Sequence, residues 1–196
     1  MIRGQKTKLR AIEREDLPAF VRWFNDPEVR QYLTMYMPMS MAEEEKWFER
    51  QLEDRDGKVF AIETEDGVHI GNCGLHSIDW KNSRAYLGIV IGEQEYWNQG
   101  YGSDAIKALL GFAFGEMNLH RVFLTVYGYN ERAIRCYEKC GFRHEGRQRE
   151  ARFSDGQYHD ELMMGILREE FEAGQSFDSP STQLRTGLRT PSGGER

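Results

Sequence analysis

The sequence predicts an α/β (α+β) fold: a central, mixed but mostly antiparallel sheet with helices on both faces. Three observations carry this. Strand-like alternation and helix-like amphipathic patterns interleave in the order βαα-βββ-αβ-α-ββ. Asp-Gly and Asn-Ser pairs separate successive strand patterns, as tight turns require. Hydrophobic residues are 39% and aromatics 12% of 196 residues, enough to fill the core of one domain.

In chain order, residues 8–12 read as a first strand. Asp16 ahead of Leu17 and Pro18 opens a helix, since proline is tolerated in a first turn, and Leu17, Phe20, Val21 and Phe24 make its buried stripe. Ser40 and Glu43 form a capping box before a second helix that runs through Trp47, Phe48 and Leu52. Strands at 59–64 and 68–78 flank Asp66-Gly67, and Asn82-Ser83 precedes a third at 85–92. A helix over 103–117 places Ile106, Leu109, Leu110, Ala113 and Met117 on one face. Residues 121–127 alternate as a strand. Residues 130–140 are helical and stop at Gly141, a glycine C-cap. Two last strands, at 144–154 and 158–167, meet at Asp155-Gly156.

The domain is expected to span 1–173. Residues 174–196 are rich in Gly, Ser, Thr and Pro, with only Phe177, Leu184 and Leu188 large and apolar. Such a segment buries too little surface to offset its ordering entropy, which predicts a flexible tail, with docking on a partner subunit as the lesser reading.

Charge and composition narrow the function. The chain has 26 Lys+Arg against 32 Asp+Glu, a net charge of -6. That disfavours nucleic acid, which is held by neutralising phosphates, and suits cationic partners such as amines. No apolar run approaches the ~18–20 residues of a membrane span. The opening MIRGQKTKLRAIERED has basic residues with no apolar stretch behind them, so no secretory signal is expected. Three cysteines, an odd and sparse count, point to reduced thiols in a cytoplasm.

The chemistry-bearing stretch is Trp97-Asn98-Gln99-Gly100-Tyr101-Gly102-Ser103, between a strand and a strong helix. Glycines there let backbone N–H groups converge, and the helix start adds a positive dipole end: an anion cradle suited to a phosphate or pyrophosphate. A dinucleotide fingerprint fits poorly. Its glycines should follow the strand directly, yet about seven residues intervene, and positions 120–127 lack the acidic residue it needs. A second constellation lies at Asn130, Ala133, Ile134 and Tyr137, on one face of the helix that ends at Gly141-Phe142.

Together these two segments resemble the GCN5-related N-acetyltransferase (GNAT) superfamily. Its turn and following helix bind acetyl-CoA, and its pattern N-x-x-A-x-x-x-Y-x-x-x-G-F is matched in full by Asn130, Ala133, Tyr137, Gly141 and Phe142. The resemblance covers about residues 7–172 and is closest to the branch of ribosomal-protein N-terminal and spermidine acetyltransferases. It implies a seven-stranded sheet. It also implies acetyl-CoA held by Ile89, Val90, Ile91, Trp97, Asn98, Gln99, Gly100, Tyr101, Gly102, Ser103, Asn130, Ala133 and Tyr137. Tyr137 is the implied general acid for the leaving thiolate, and a homodimer is allowed. The acceptor would be a small-molecule amine or a protein N-terminus, attacking directly in a ternary complex.

Three positions depart from the family pattern. Trp97 stands where Gln or Arg is usual and Asn98 where this branch often has Gly; Asn tolerates left-handed backbone. Tyr86, in Ala85-Tyr86-Leu87-Gly88, replaces a Glu that relatives direct toward the substrate. A base for the amine, unless the amine arrives neutral and needs none, would come from elsewhere, and His76, Asp79 and Glu93, near strand ends, are the candidates. The alternative function is a non-catalytic CoA-binding regulatory module of the same fold. No metal is expected: Gly141 breaks the Cys136, Cys140, His144 series, and Cys73 and His76 split across two faces of a strand. Arg132, Arg135 and Lys139 read as a solvated face, with a cofactor phosphate as the lesser reading. Met35, Met37, Met39 and Met41 border the acceptor region implied by the family and read equally as a substrate wall or as loop packing.

Overall fold

The computed structural model describes residues 1–178. Eight strands form one sheet: β1 (Ile2–Arg3), β2 (Thr7–Ala11), β3 (Lys58–Thr64), β4 (His69–Asp79), β5 (Arg84–Ile91), β6 (Arg121–Tyr127), β7 (Arg143–Ser154) and β8 (Gln157–Leu167). Their spatial order is β1-β2-β3-β4-β5-β6-β8-β7. The expected seven strands become eight because Ile2 and Arg3 pair with Leu9 and Lys8 across a short turn, too brief a run to read from alternation. The β7–β8 hairpin turns on Asp155 (φ 50°) and Gly156 (φ 79°), the double positive φ of a type I′ turn.

Every strand pair is antiparallel except β5–β6, and that exception positions the site. These two parallel strands are in register only at Arg84↔Arg121, Ala85↔Val122 and Tyr86↔Phe123. From Leu87 to Ile91, β5 stays paired with β4 but has no partner on its β6 side. The sheet opens there into a cleft.

The helices are α1 (Leu17–Asn25), α2 (Pro27–Arg30), α3 (Met41–Glu53), α4 (Tyr101–Gly115), α5 (Glu131–Lys139) and α6 (Arg168–Asp178). On one face of the sheet, Ile106, Leu109, Leu110 and Ala113 of α4 join Leu75, Leu87, Val122, Ile166 and Tyr137 in the main core. On the other, Leu17, Phe20, Trp23, Phe24, Val29 and Phe48 of α1–α3 form a second cluster. Residues Ile89 and Ile91 pack on the first cluster and Val90 on the second, as alternation along a strand demands. Gly92 is required beside this second cluster, since a Cβ there would lie 2.0 Å from the Trp23 ring.

Three local expectations change. Trp23 rather than Val21 completes the buried stripe of α1, because a residue at i+3 from Phe20 faces the sheet more squarely. Leu52 of α3 is 64% exposed. Helix α6 runs through 174–178, the first five residues of the segment read as a tail, anchored by Phe171 against Phe114 at 5.4 Å. The remainder of that segment, 179–196, lies outside the described residues. No helix among the described residues is long and apolar enough to cross a membrane.

Candidate active site

A cavity of about 970 Å³ occupies the cleft where β5 leaves β6 and extends to the wall made by α1 and α3. At one end lies the glycine turn. Gly100 (φ 87°) and Asn98 (φ 60°) are both left-handed, a conformation that asparagine tolerates better than most residues other than glycine. Asp104 donates its N–H to Gly100 O at 3.0 Å, while the N–H groups of 98–103 find no acceptor among the described residues. Six consecutive unengaged amides at the start of a fifteen-residue helix suit a pyrophosphate. The site is pinned from outside by the Asp104 carboxylate. It accepts from the N–H groups of Gln5, Lys6 and Thr7, each at 2.9 Å, and from Thr7 Oγ1 at 2.7 Å.

Among the residues implied for the cofactor, Ile89, Val90, Ile91, Trp97, Asn98, Gly100, Gly102, Ser103, Asn130, Ala133 and Tyr137 line the cavity. The side chains of Gln99 and Tyr101 are engaged elsewhere. Gln99 Nε2 donates to Glu95 O, and Tyr101 stacks edge-on against Tyr96 at 5.2 Å with Lys6 over its ring. Asn130 is the N-cap of α5 rather than a residue inside it, and its Oδ1 accepts from Ala133 N at 3.2 Å. Trp97 Nε1 donates to Ile91 O at 2.7 Å, which ties the turn to the open strand. Arg132 stacks on Trp97 at 3.7 Å and lines the cavity, as do Arg135 and Lys139. The solvated-face reading gives way for Arg132, which cation–π contact with Trp97 draws inward, and holds for Arg135 and Lys139, which stay exposed at the cavity rim.

Tyr137 is buried, packed edge-on against Phe142 at 5.9 Å. Burial pushes its phenol well above the ordinary value near 10, so it carries its proton at any physiological pH. Close by, Tyr86 fills the position of the expected glutamate. Its hydroxyl lies 2.9 Å from Thr125 Oγ1, which donates to Glu161 Oε1 at 2.8 Å. A threonine hydroxyl has one proton, so Tyr86 donates and the chain Tyr86–Thr125–Glu161 ends on a carboxylate. Tyr86, Thr125 and Glu161 all line the cavity.

The candidate bases separate. His76 lines the cavity, and burial lowers its pKa, which keeps the imidazole neutral. Asp79 instead accepts from Asn82 N at 2.9 Å and pairs with Arg84 at the far end of the strand. Glu93 accepts from Trp23 Nε1 at 3.1 Å and pairs with Arg22, fastening α1 to the strand end. Glu161 and Glu44 of α3 were not singled out by sequence reading. Glu161 gives no signal in a run of mixed polar residues, whereas Glu44 lies one turn before Phe48 on the apolar side of its helix, and that misplacement was the available clue. Among the methionines, Met35 and Met39 line the cavity and Met37 is 66% exposed. No cluster of metal-ligating side chains exists among the described residues; His144 pairs with Glu138 instead.

The sequence model described as an Acetyltransferase (GNAT) domain matches residues 6–143 of the chain. The chain belongs to the GNAT acetyltransferase family. It is 32% identical over 169 residues to the SPbeta prophage-derived uncharacterized N-acetyltransferase YokL of Bacillus subtilis, covering 86% of this chain and 94% of that one. It is 30% identical over 185 residues to the spermidine N(1)-acetyltransferase of Escherichia coli, covering 92% and 98%. The fold matches the crystal structure of spermidine N-acetyltransferase from Vibrio cholerae in complex with CoA and spermine, with TM-score 0.81 and 29% identity over 86% of this chain and 99% of that one. This acetyltransferase, like its family, takes its acyl group from acetyl-CoA.

Proposed function

We propose that the enzyme transfers acetyl from acetyl-CoA directly to a primary amine in a ternary complex, with the donor laid along the open edge of β5. The observation that carries this is the run of unengaged amides at 98–103 opening onto the same cavity as the buried Tyr137. The pyrophosphate sits on those amides, and the pantetheine arm pairs with the edge of Ile89–Ile91 that β6 leaves bare. A free N–H on that edge polarises the thioester carbonyl as negative charge develops.

The amine nitrogen attacks the carbonyl carbon, the C–N bond forms, and the C–S bond breaks. Tyr137 gives its phenolic proton to the departing thiolate and regains one from solvent. The proton lost by the amine passes to Glu161, the carboxylate that the Tyr86–Thr125 chain presents in place of the family's glutamate. Acceptors are primary amines: polyamines, as the names of the spermidine relatives suggest, other small amines, or a protein N-terminus.

Release of free thiol from acetyl-CoA, measured across a panel of amines, tests the reading. Turnover with at least one amine is expected, together with protection from thermal unfolding by CoA and not by NAD. Protection by CoA with no turnover on any amine would instead identify a binding module.

A further inference from the structure

The α1–α3 wall of the cavity holds a group that the transfer step does not use. Glu44 is 2% exposed, yet its Oε1 meets no hydrogen-bond donor. Its place is not explained by helix capping, because Glu43 completes the capping box with Ser40. Packing does not explain it either: a buried carboxylate without a partner destabilises a fold, and an apolar residue would serve better beside Phe48. Burial alone pushes the Glu44 carboxyl up to about 7, with no neighbouring cation to offset it. Lys46 and Arg50 of α3 and Arg132 across the cavity line the same space without bonding to it.

The surroundings of that carboxylate describe its partner. Phe24, Leu33, Met35, Met39 and Trp47 belong to or pack on the α1–α3 cluster and line the same cavity as Glu44, an apolar wall within reach of an unpaired carboxylate. An alkyl chain ending in an ammonium is complementary to such a wall: methylenes against the methionines and aromatics, charge against the carboxylate. Glu44 is also separate from the Tyr86–Thr125–Glu161 chain, so one carboxylate serves the reacting amine and the other is free to hold a second charge.

We infer that Glu44 binds a second, non-reacting ammonium of the acceptor, making the enzyme selective for diamines and polyamines over monoamines. This rests on the acetyl-transfer reading above and assigns its specificity to one residue.

The test compares 1,4-diaminobutane with butylamine, which share a four-carbon chain and differ in the distal charge. Binding to the CoA-loaded protein is measured by calorimetry, and kcat/KM by thiol release, both at pH 8. The wild-type protein should favour the diamine at least tenfold in each. Glu44→Gln should reduce that preference to within about twofold through KM for the diamine, and Glu44→Asp should restore part of it. A preference retained in Glu44→Gln, or absent from the wild-type protein, overturns the assignment. A calorimetric preference that depends on Glu44, with no thiol released from either amine, would support the anchor and refute acetyl transfer.

Discussion

The two ends of the cavity are built from different materials. The end proposed for the donor is mainly main chain: amides 98–103, the bare edge of β5, and a left-handed Asn98 and Gly100. The end proposed for the acceptor is side chain: Phe24, Met35, Met39, Trp47 and a buried, unpaired Glu44. Recognition by main chain tolerates side-chain replacement, so Trp97 and Asn98 can depart from the family pattern while the turn keeps its shape. Recognition by side chains changes with every substitution.

The largest expected effect tests the side chain proposed as general acid at the donor end. Tyr137→Phe removes only an oxygen, so the core should persist while kcat falls by roughly 10²–10⁴-fold. The loss should shrink for an acyl donor with a more acidic thiol. Full kcat across pH 6–9 on both donors would reduce Tyr137 to packing.

Next in size is the outer brace of the turn. Asp104→Ala strips acceptors from three backbone N–H groups and the Thr7 hydroxyl, at a cost of about 2–3 kcal/mol of stability. Urea denaturation measures it. A loss under about 0.5 kcal/mol would show that the N-terminal segment is not held by this carboxylate.

The amide cradle itself can be probed with little disturbance of the fold. A Cβ on Gly102 would make only ordinary contacts, 3.7 Å from Ile91 Cγ1 and 3.8 Å from Cys136 Sγ. Gly102→Val should therefore fold, yet raise KM for acetyl-CoA by about tenfold, the equivalent of one lost charge-assisted contact. An equal rise in KM for the amine would erase the division between the two ends.

The smallest effect belongs to the acceptor end and depends on pH. The Glu44 carboxyl keeps its proton up to about 7 in the folded protein against an ordinary 4.5. The native state thus binds more protons than the unfolded chain between these values, and stability from this group is lost as pH rises from about 4.5 to about 7. Glu44→Gln should be more stable than wild type by about 1–2 kcal/mol at pH 8, the gap closing toward pH 4.5. A variant less stable at pH 8 would mean the carboxylate has a partner in the fold.

Much of this was legible from residue order. The glycine spacing at 100 and 102, the Asn130-to-Phe142 pattern, the Ser40–Glu43 capping box and the Asp155-Gly156 turn are local, and local physics places each within one element. Glu161 was not legible, because it reaches Tyr86 only through Thr125 on a strand between them, from positions 75 residues apart in the chain. Arg132 was misread as solvated because its partner, Trp97, lies in another element.

By itself the sequence determined the order of the longer elements, though not β1, α2 or α6, together with the glycine turn and the helix face that carries Tyr137, since each follows from backbone conformation and spacing over a few residues. Only the tertiary structure decided where β5 parts from β6, which carboxylates face the cavity, and that Glu44 is buried without a partner. Those facts depend on packing between distant segments, and a side chain's solvation is known only when every neighbour that could exclude water is in place.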